Sequence, residues 1–398
     1  MVPPRLLLPP LLVLLLLVPI PAGAREARRD PQTQRIRLKY IGDCLAVQTP
    51  TRGMELDPLI SLRLVPSSEQ EWAVDYSSIK RYMRLYMPRT LDDHLGSTDV
   101  VMLSNTAADY FKPDWLRWIA QGTEDGLGLV MVGGYCSYGG FNYPDWGPNQ
   151  VGAILPVETI IAGKRDFPFK LSPVEEDHPL LSVFDWERGP FFFALNTVTL
   201  RQGARPLARS DPGDQLLMAY QEVGDGSVLA FMSTWGLPWG DELVQWEYFV
   251  DFSADMVYHS AGIDIPDPVI VHEVRVLFEE FHLARSLVSS ILEFVDMLGG
   301  RTTGVRESFD ALVLRRDGAE DLYIEQDYPG CQQEMATLVG EMNSLNDDAI
   351  RAKDVAFLWI YITEWAAVTG VSILSGYVLY AFMVRRRLYR EVSSTRSG

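Results

Sequence analysis

The chain is poor in cysteine and in positive charge. Its 398 residues include only three cysteines, Cys44, Cys136 and Cys331. A small, odd number of cysteines argues against a disulfide scaffold, although a disulfide between Cys44 and Cys331 is an alternative. The 35 Lys and Arg residues face 53 Asp and Glu residues, which gives a formal net charge of −18. Because an acidic surface repels phosphate groups, we expect no nucleic-acid partner.

Sequence motifs for several kinds of chemistry are also lacking. The sequence has no His/Cys cluster at the spacing of metal ligands, no phosphate-binding glycine loop and no Gly-x-Ser-x-Gly motif of a serine hydrolase. We therefore predict no metal site and no cofactor.

Both ends of the chain are hydrophobic. Residues 1–24 combine Arg5, an apolar run and the small residues Ala22-Gly23-Ala24, which is typical of a cleaved signal peptide; an uncleaved anchor is the alternative. Residues 355–384 are long and apolar enough to span a bilayer, and an arginine cluster follows. By the positive-inside rule, the tail 385–398 is cytoplasmic and the body is outside. The sequence thus predicts a type I single-pass protein of the cell membrane.

The centre of the chain reads as strand, helix, strand. Apolar strands are predicted at residues 99–103 and 127–132, and Pro113 opens the helix between them. This order is the βαβ unit of a parallel sheet. A glycine-rich segment, residues 133–140, follows the second strand, and we call it the bend.

Ligands of open α/β sheets lie outside the carboxyl ends of the strands. The candidate ligand-binding residues are therefore those that follow the predicted strands: Asn105, Gly134, Tyr135, Cys136 and Ser137, together with Trp235 and Trp239 after a late strand at residues 227–231. Aromatic faces such as those of the two tryptophans suit a sugar; packing in the core is the alternative.

The composition changes at Pro266 and Pro268. Beyond them, apolar residues recur at alternating three- and four-residue spacing, first at 274, 277, 281, 284, 288, 291, 295 and 298, then at 331, 335, 338, 342, 345, 349 and 352. Such seams predict a coiled-coil-like helical stalk over residues 263–354, with the two seams paired as an antiparallel hairpin. Pairing of the seams with another chain is the alternative to the hairpin, and helices that pack back on the globular domain are the alternative to the stalk.

The predicted span also carries signs of a partner. Ser372 and Gly376 are spaced for close helix contact, and Glu364 is a carboxylate within the apolar segment, where such a group tends to be paired. Glu364 at the outer interface is the alternative. We expect the span to recruit a second copy of the chain or another membrane protein.

Several stretches together resemble a known family. They are Val100–Asn105, Leu129–Gly140, Ile154–Val157, His178–Leu180, Gly224–Phe231, Pro238–Gly240 and Trp246. The combination resembles the class I glutamine-amidotransferase-like domains, a flavodoxin-like α/β group, over roughly residues 36–262. The resemblance implies a flavodoxin-like sandwich with a central, mostly parallel sheet for the domain at residues 25–262.

The catalytic pattern of that family is incomplete here. Its active members carry Gly-x-Cys-x-Gly and a late His-Pro-Glu. Gly134-Tyr135-Cys136 fits the first half, but Gly139 comes one residue late, and Met232-Ser233-Thr234-Trp235 follows the late strand without a histidine. We therefore predict an inactive relative that acts as a ligand-binding or assembly module. The alternative is a hydrolase or amidotransferase that uses Cys136.

Overall fold

The computed structural model describes residues 27–44, 50–67, 75–236, 238–266 and 268–394. The predicted signal peptide, residues 1–24, lies outside the described residues, as do residues 395–398 of the predicted tail. The described residues divide into two compact units. The α/β unit comprises residues up to 50, 62–245 and 255–264. The helical unit comprises residues 51–61, 246–254 and those from 265 onward.

The α/β unit is built on a mixed sheet. The strands of the described chain are β1 (Ile36–Gly42), β2 (Ile60–Pro66), β3 (Val100–Ser104), β4 (Gly128–Val132), β5 (Val157–Pro173), β6 (Phe192–Leu200), β7 (Arg205–Asp211), β8 (Leu216–Val223) and β9 (Gly226–Phe231). They lie in the order β2-β1-β3-β4-β9-β8-β7-β5-β6. β1, β3, β4 and β9 are parallel neighbours, and the pairings from β9 to β6 are antiparallel.

The parallel centre follows directly from the sequence. Every residue of β3 and β4 is buried, as expected of strands covered on both faces. Gly224-Asp225-Gly226 makes the tight connection between β8 and β9 that its glycines predict. The predicted α/β fold with a parallel sheet is confirmed. The antiparallel half, which carries the long strand β5, was not evident from the resemblance.

The sheet is accompanied by short helices. They are α2 (Tyr76–Tyr86), α3 (Leu91–Ser97), α4 (Pro113–Glu124), α5 (Gln150–Ile154) and α6 (Asp241–Gln245), while α7 (Phe249–Ser260) contributes to both units. Proline stands at the first turn of α4, as predicted. α6 and α7 are separated by a turn in which Phe249 N–H donates to Trp246 C=O.

The helical unit contains α1 (Arg52–Leu56), α8 (Pro268–Met297), α9 (Thr303–Ile324) and α10 (Tyr328–Ser394). α10 packs against both α8 and α9. The second predicted seam lies on the packed face, since Cys331, Met335, Leu338, Met342, Leu345 and Ala349 are all buried. α10 is continuous through the predicted stalk and span, and its residues 328–387 are long and apolar enough to cross a membrane.

The first seam is only half right. Val274, Phe281, Val288 and Val295 are buried, but the alternate positions 277, 284, 291 and 298 are half-buried. The residues buried in their place are Val271, Arg275, Phe278 and Leu292. α8 also contacts α9, where the Phe278 and Tyr323 rings lie 5.9 Å apart. The residues of α8 on the face that contacts α9 are therefore buried, and the predicted positions 277, 284, 291 and 298 are buried only in part.

The expected antiparallel pairing of the two seams is wrong in direction. Gln332 near the start of α10 bonds Glu273 near the start of α8, and the Phe357 ring lies 5.7 Å from that of Phe294 near the end of α8. α8 and α10 therefore run parallel. α9 returns the chain between them over 22 residues, about 33 Å of helix. The two seams do pair within one chain, but the helix that runs antiparallel to α8 and α10 is α9.

Candidate functional site

The predicted site residues meet at the carboxyl edge of the parallel strands. Asp43 follows β1, Asn105 follows β3, the bend follows β4, and Trp235 lies four residues after β9. Because these four strands are parallel neighbours, their carboxyl ends share one edge of the sheet. The bend lies at the centre of this edge.

The backbone at the start of the bend requires glycine and approaches Asn105 closely. Gly134 has φ +144°, and a Cβ there would come within 2.3 Å of Asn105 Oδ1. Asn105 itself has φ +45°. Its Oδ1 accepts a hydrogen bond from Cys136 N–H at 3.1 Å. The two predicted residues Asn105 and Gly134 thus hold the backbone of Cys136.

Asn196 of β6 holds the bend from the other side. Gly134 N–H donates to Asn196 Oδ1 at 2.8 Å, and Asn196 Nδ2 donates to Gly134 C=O at 3.0 Å. Asn196 is only 1% exposed, so this pair of bonds is out of water. Sequence reasoning missed Asn196. The available signal was a lone amide within the apolar strand Phe-Phe-Ala-Leu-Asn.

The Cys136 side chain is completely buried, and the residues after it tie the bend to the strands. Trp146 Nε1 donates to Cys136 C=O at 3.1 Å and to Thr106 C=O at 3.1 Å. Ser137 Oγ donates to Val132 C=O at 2.6 Å. Tyr138 OH donates to Met131 C=O at 2.8 Å. These bonds give Ser137 and Tyr138 structural tasks.

Gly139, the second glycine of the motif, allows strand β5 to approach the bend closely. A Cβ on Gly139 would come within 1.9 Å of the carbonyl oxygen of Ile160, and Ala162 N–H donates to Gly139 C=O at 3.1 Å. Glycine at 139 is therefore explained by the close approach of β5 to the bend. Its displacement by one residue from the Gly-x-Cys-x-Gly pattern has a structural cause.

The two candidate tryptophans differ in their surroundings. Trp235 is fully buried, and its Nε1 donates to Ser104 Oγ at 3.1 Å, which is the environment of a core residue. Trp239 is also buried, but its ring lies 5.0 Å from that of Tyr135, the half-exposed residue of the bend. Of the two, Trp239 lies beside the more accessible part of the site.

A buried carboxyl group near the site was not predicted. Asp43 is 3% exposed, and Tyr40 OH donates to its Oδ1 at 2.9 Å. Burial raises the pKa of Asp43 to about 6, although hydrogen bonds from Ser104 and Tyr40 oppose the rise. Asp43 therefore gains or loses its proton near pH 6, well above the usual range of an aspartate. Since β3 lies between β1 and β4, Asp43 and the bend are separated by two strand spacings, about 10 Å.

The histidines of the α/β unit lie toward the opposite edge of the sheet. The His94 ring lies beside Gly122 and Leu127, just before β4, and burial lowers the pKa of His94 to about 3. His259 precedes Ser260, which packs against Gly128 at the start of β4. The His178 ring lies 5.3 Å from that of His259, and burial lowers its pKa. These imidazoles are thus grouped away from the carboxyl end of β4.

The described residues offer little to a metal ion. Among them, no group of three His, Cys, Asp or Glu side chains lies close enough together to hold one. All three cysteines are buried, and none forms a disulfide. The edge of the sheet instead offers a rigid backbone turn, a buried carboxyl group and aromatic rings, which together suit binding of a ligand.

Comparison with known proteins finds one matching family model and several similar solved structures. Residues 82–259 match the model of the protein family described as "Putative glutamine amidotransferase". Two solved structures cover 56% of this chain, each with a TM-score of 0.48: the cytoplasmic protein STM3548 from Salmonella typhimurium, 17% identical over 99% of its length, and the cytoplasmic protein STM1381 from Salmonella typhimurium LT2, 18% identical over 98%. No curated protein matches the chain. Residues 82–259 thus match the glutamine-amidotransferase-like family that the sequence motifs resemble.

Proposed function

We propose that this protein is a membrane-anchored, amidotransferase-like ligand-binding or assembly module that does not hydrolyse glutamine. The observation that carries the proposal is the burial of Cys136 within the bend. A catalytic thiol must be accessible and must be activated by a nearby base. The contacts around Cys136 instead hold its backbone on both sides, through Asn105 and Trp146.

The placement of the histidines supports the same proposal. Cysteine nucleophiles of amidotransferases depend on an imidazole to form the thiolate. Ser260 packs at the start of β4 and Cys136 follows its end. The five residues of β4 span about 16 Å, which places His259 and its neighbour His178 far from the thiol. In this account Cys136 is a small residue packed at a turn.

Ammonia release from glutamine tests the proposal. We expect the full-length protein to release no more ammonia than a buffer blank, and Cys136→Ser to give the same result. Ammonia release that exceeds the blank and disappears in Cys136→Ser would contradict the proposal and favour the Cys136-dependent enzyme. Retention of the circular dichroism spectrum in Cys136→Ser controls for unfolding.

The membrane part of the proposal rests on α10. Its apolar portion is exposed along its length and arginines follow it, so we infer an external α/β unit, a cytoplasmic tail and a partner recruited through the span. Protease added to intact cells should remove an N-terminal epitope from the mature chain and spare a C-terminal one. After mild detergent extraction, purification through the C-terminal tag should also recover a second copy of the chain or another membrane protein. The reverse protease pattern, or strictly monomeric protein with no companion, would contradict the respective inference.

A further inference from the structure

Three aromatic rings at the bend surround the ammonium group of Lys164. Lys164 Nζ lies 5.0 Å from the ring centroid of Tyr135, 5.3 Å from that of Phe141 and 5.5 Å from that of Trp239. A cation within about 6 Å of a ring face is attracted by the quadrupole of the ring. We call Tyr135, Phe141 and Trp239 the aromatic cage.

The bend holds the Tyr135 wall of the aromatic cage. Tyr135 lies between Gly134, which Asn196 fixes with two hydrogen bonds, and Cys136, which Asn105 fixes with one. The Tyr135 ring packs 5.0 Å from Trp239 and 6.1 Å from Phe141. The Tyr135 wall is therefore preorganised, which lowers the cost of binding a guest.

Lys164, in contrast, enters the cage as a flexible side chain. Its backbone pairs with Asn196 in the β5–β6 ladder, and four rotatable bonds separate this backbone from the ammonium group. Lys164 Nζ also lies 2.9 Å from Asp166 Oδ1, and the Asp166 side chain is 67% exposed. Lys164 can thus keep an ion pair at the surface when it leaves the rings.

Two features make the cage suitable for an external guest. Phe141 is 39% exposed, so one wall faces solvent. Trp239 Nε1 is buried and has no hydrogen-bond partner among the described residues. A buried donor without a partner costs free energy, and an oxygen atom of a guest beside the cation would satisfy it.

We propose that the aromatic cage binds an alkylammonium group and that Lys164 is its built-in competitor. Quaternary ammonium groups fit best, because they are cations that need no hydrogen-bond acceptor and are recognised by aromatic faces. This inference rests on the proposed binding role of the domain and gives the class of ligand. Choline, which carries a quaternary nitrogen and one hydroxyl group, is the probe.

Removal of Lys164 should open the site. We expect Lys164→Ala to bind choline at least about tenfold more tightly than the wild-type chain, because the internal cation no longer competes. The measurement is isothermal titration calorimetry of full-length protein in a maltoside detergent. The neutral isostere 3,3-dimethyl-1-butanol should not bind, and Tyr135→Leu in the Lys164→Ala background should lose the choline affinity.

Lys170 provides a matched control. It lies on the same strand, and its Nζ is 4.8 Å from one ring centroid, that of Phe191. Lys170→Ala should bind choline no better than the wild type.

In the wild-type chain, choline should increase the rate of reductive methylation of Lys164, measured by mass spectrometry, and the neutral isostere should not. This second readout does not depend on the folding of a variant.

The outcomes separate this inference from the proposed function. Equal choline affinity of wild type and Lys164→Ala, or a Lys164 methylation rate that saturating choline leaves unchanged, would overturn the competition between Lys164 and the guest. Absence of choline binding to folded Lys164→Ala would overturn the cage itself. Cys136-dependent ammonia release would contradict the proposed function whatever choline does.

Discussion

Replacement of Arg275 with methionine is expected to lower the free energy of unfolding of the helical unit by about 3–5 kcal/mol. Arg275 is 2% exposed and joins two buried carboxylates. Its Nε donates to Asp57 Oδ2 and its Nη1 donates to Asp251 Oδ1, each at 2.9 Å. Tyr323 OH also donates to Asp57 Oδ2 at 2.9 Å. Methionine would leave the buried Asp57 carboxylate without its cation and Asp251 with His272 alone.

Arg315 is the matched control for Arg275. It also bonds two carboxylates, Glu334 and Glu341, but its side chain is 42% exposed. Arg315→Met should cost less than about 1 kcal/mol, because water screens exposed ion pairs. Hydrogen exchange of peptides from α8, followed by mass spectrometry in the full-length protein, measures both. A cost for Arg275→Met no larger than that for Arg315→Met would contradict the account.

The pKa values of Asp251 and His272 determine the pH at which the Arg275 and Arg315 variants should be compared. Burial alone would raise the pKa of Asp251, but hydrogen bonds and charge from His272 and Arg275 outweigh it and lower that pKa. The stability from Asp251 is therefore lost as pH falls through its lowered value. The hydrogen bond to Asp251 raises the pKa of His272, so the stability from His272 is lost as pH rises through that value. Both contributions are present at about pH 6.

Replacement of Asn196 with alanine should have the largest effect in the α/β unit. The change removes both hydrogen bonds to Gly134 and leaves the buried N–H and C=O of the bend without their amide partner. Each of the two losses costs about 1–3 kcal/mol, so we expect the free energy of unfolding to fall by about 2–6 kcal/mol. Hydrogen exchange of peptides that cover β4 and the bend gives the value.

Asn149 allows a controlled comparison. Its Oδ1 accepts one hydrogen bond, from Gly152 N–H at 2.9 Å, at the start of α5. Loss of a helix cap of this kind costs about 1 kcal/mol, so Asn149→Ala should be milder than Asn196→Ala. If the two variants are destabilised equally, Asn196 does not hold the bend as the geometry indicates.

The sequence predicted the parallel half of the sheet because local patterns determine it. Continuous apolar runs at β3 and β4 and proline at the start of α4 each need only a few neighbouring residues to be recognised. Asn196 could not be found in the same way, since its partner Gly134 is 62 residues distant in sequence. Lys164 likewise reads as an ordinary charged residue of a strand until β5 is placed against the bend.

The helical unit shows a second limit of sequence patterns. Six of the seven seam positions predicted in α10 are buried, and Ala352 is half-buried, because few other apolar residues occur in this part of the helix. In α8, apolar residues occur on more than one face, and the pattern does not say which meets a partner. Leu277 was chosen, while the structure buries Phe278 and the charged Arg275. A charged residue on a packed face is not signalled by periodicity, because its partners come from distant segments.

Alkylation of Cys136 tests the central claim, that this residue is packed in the bend and is not an activated nucleophile. Peptide-resolved mass spectrometry after iodoacetamide treatment across pH, on the wild-type chain and on Asn196→Ala, gives the rate. We predict slow labelling in the wild type, with no midpoint below the ordinary thiol pKa of about 8.5. Asn196→Ala should label faster at every pH, because the bend opens more often. Rapid labelling of wild-type Cys136 with a midpoint well below about 8.5 would contradict the account.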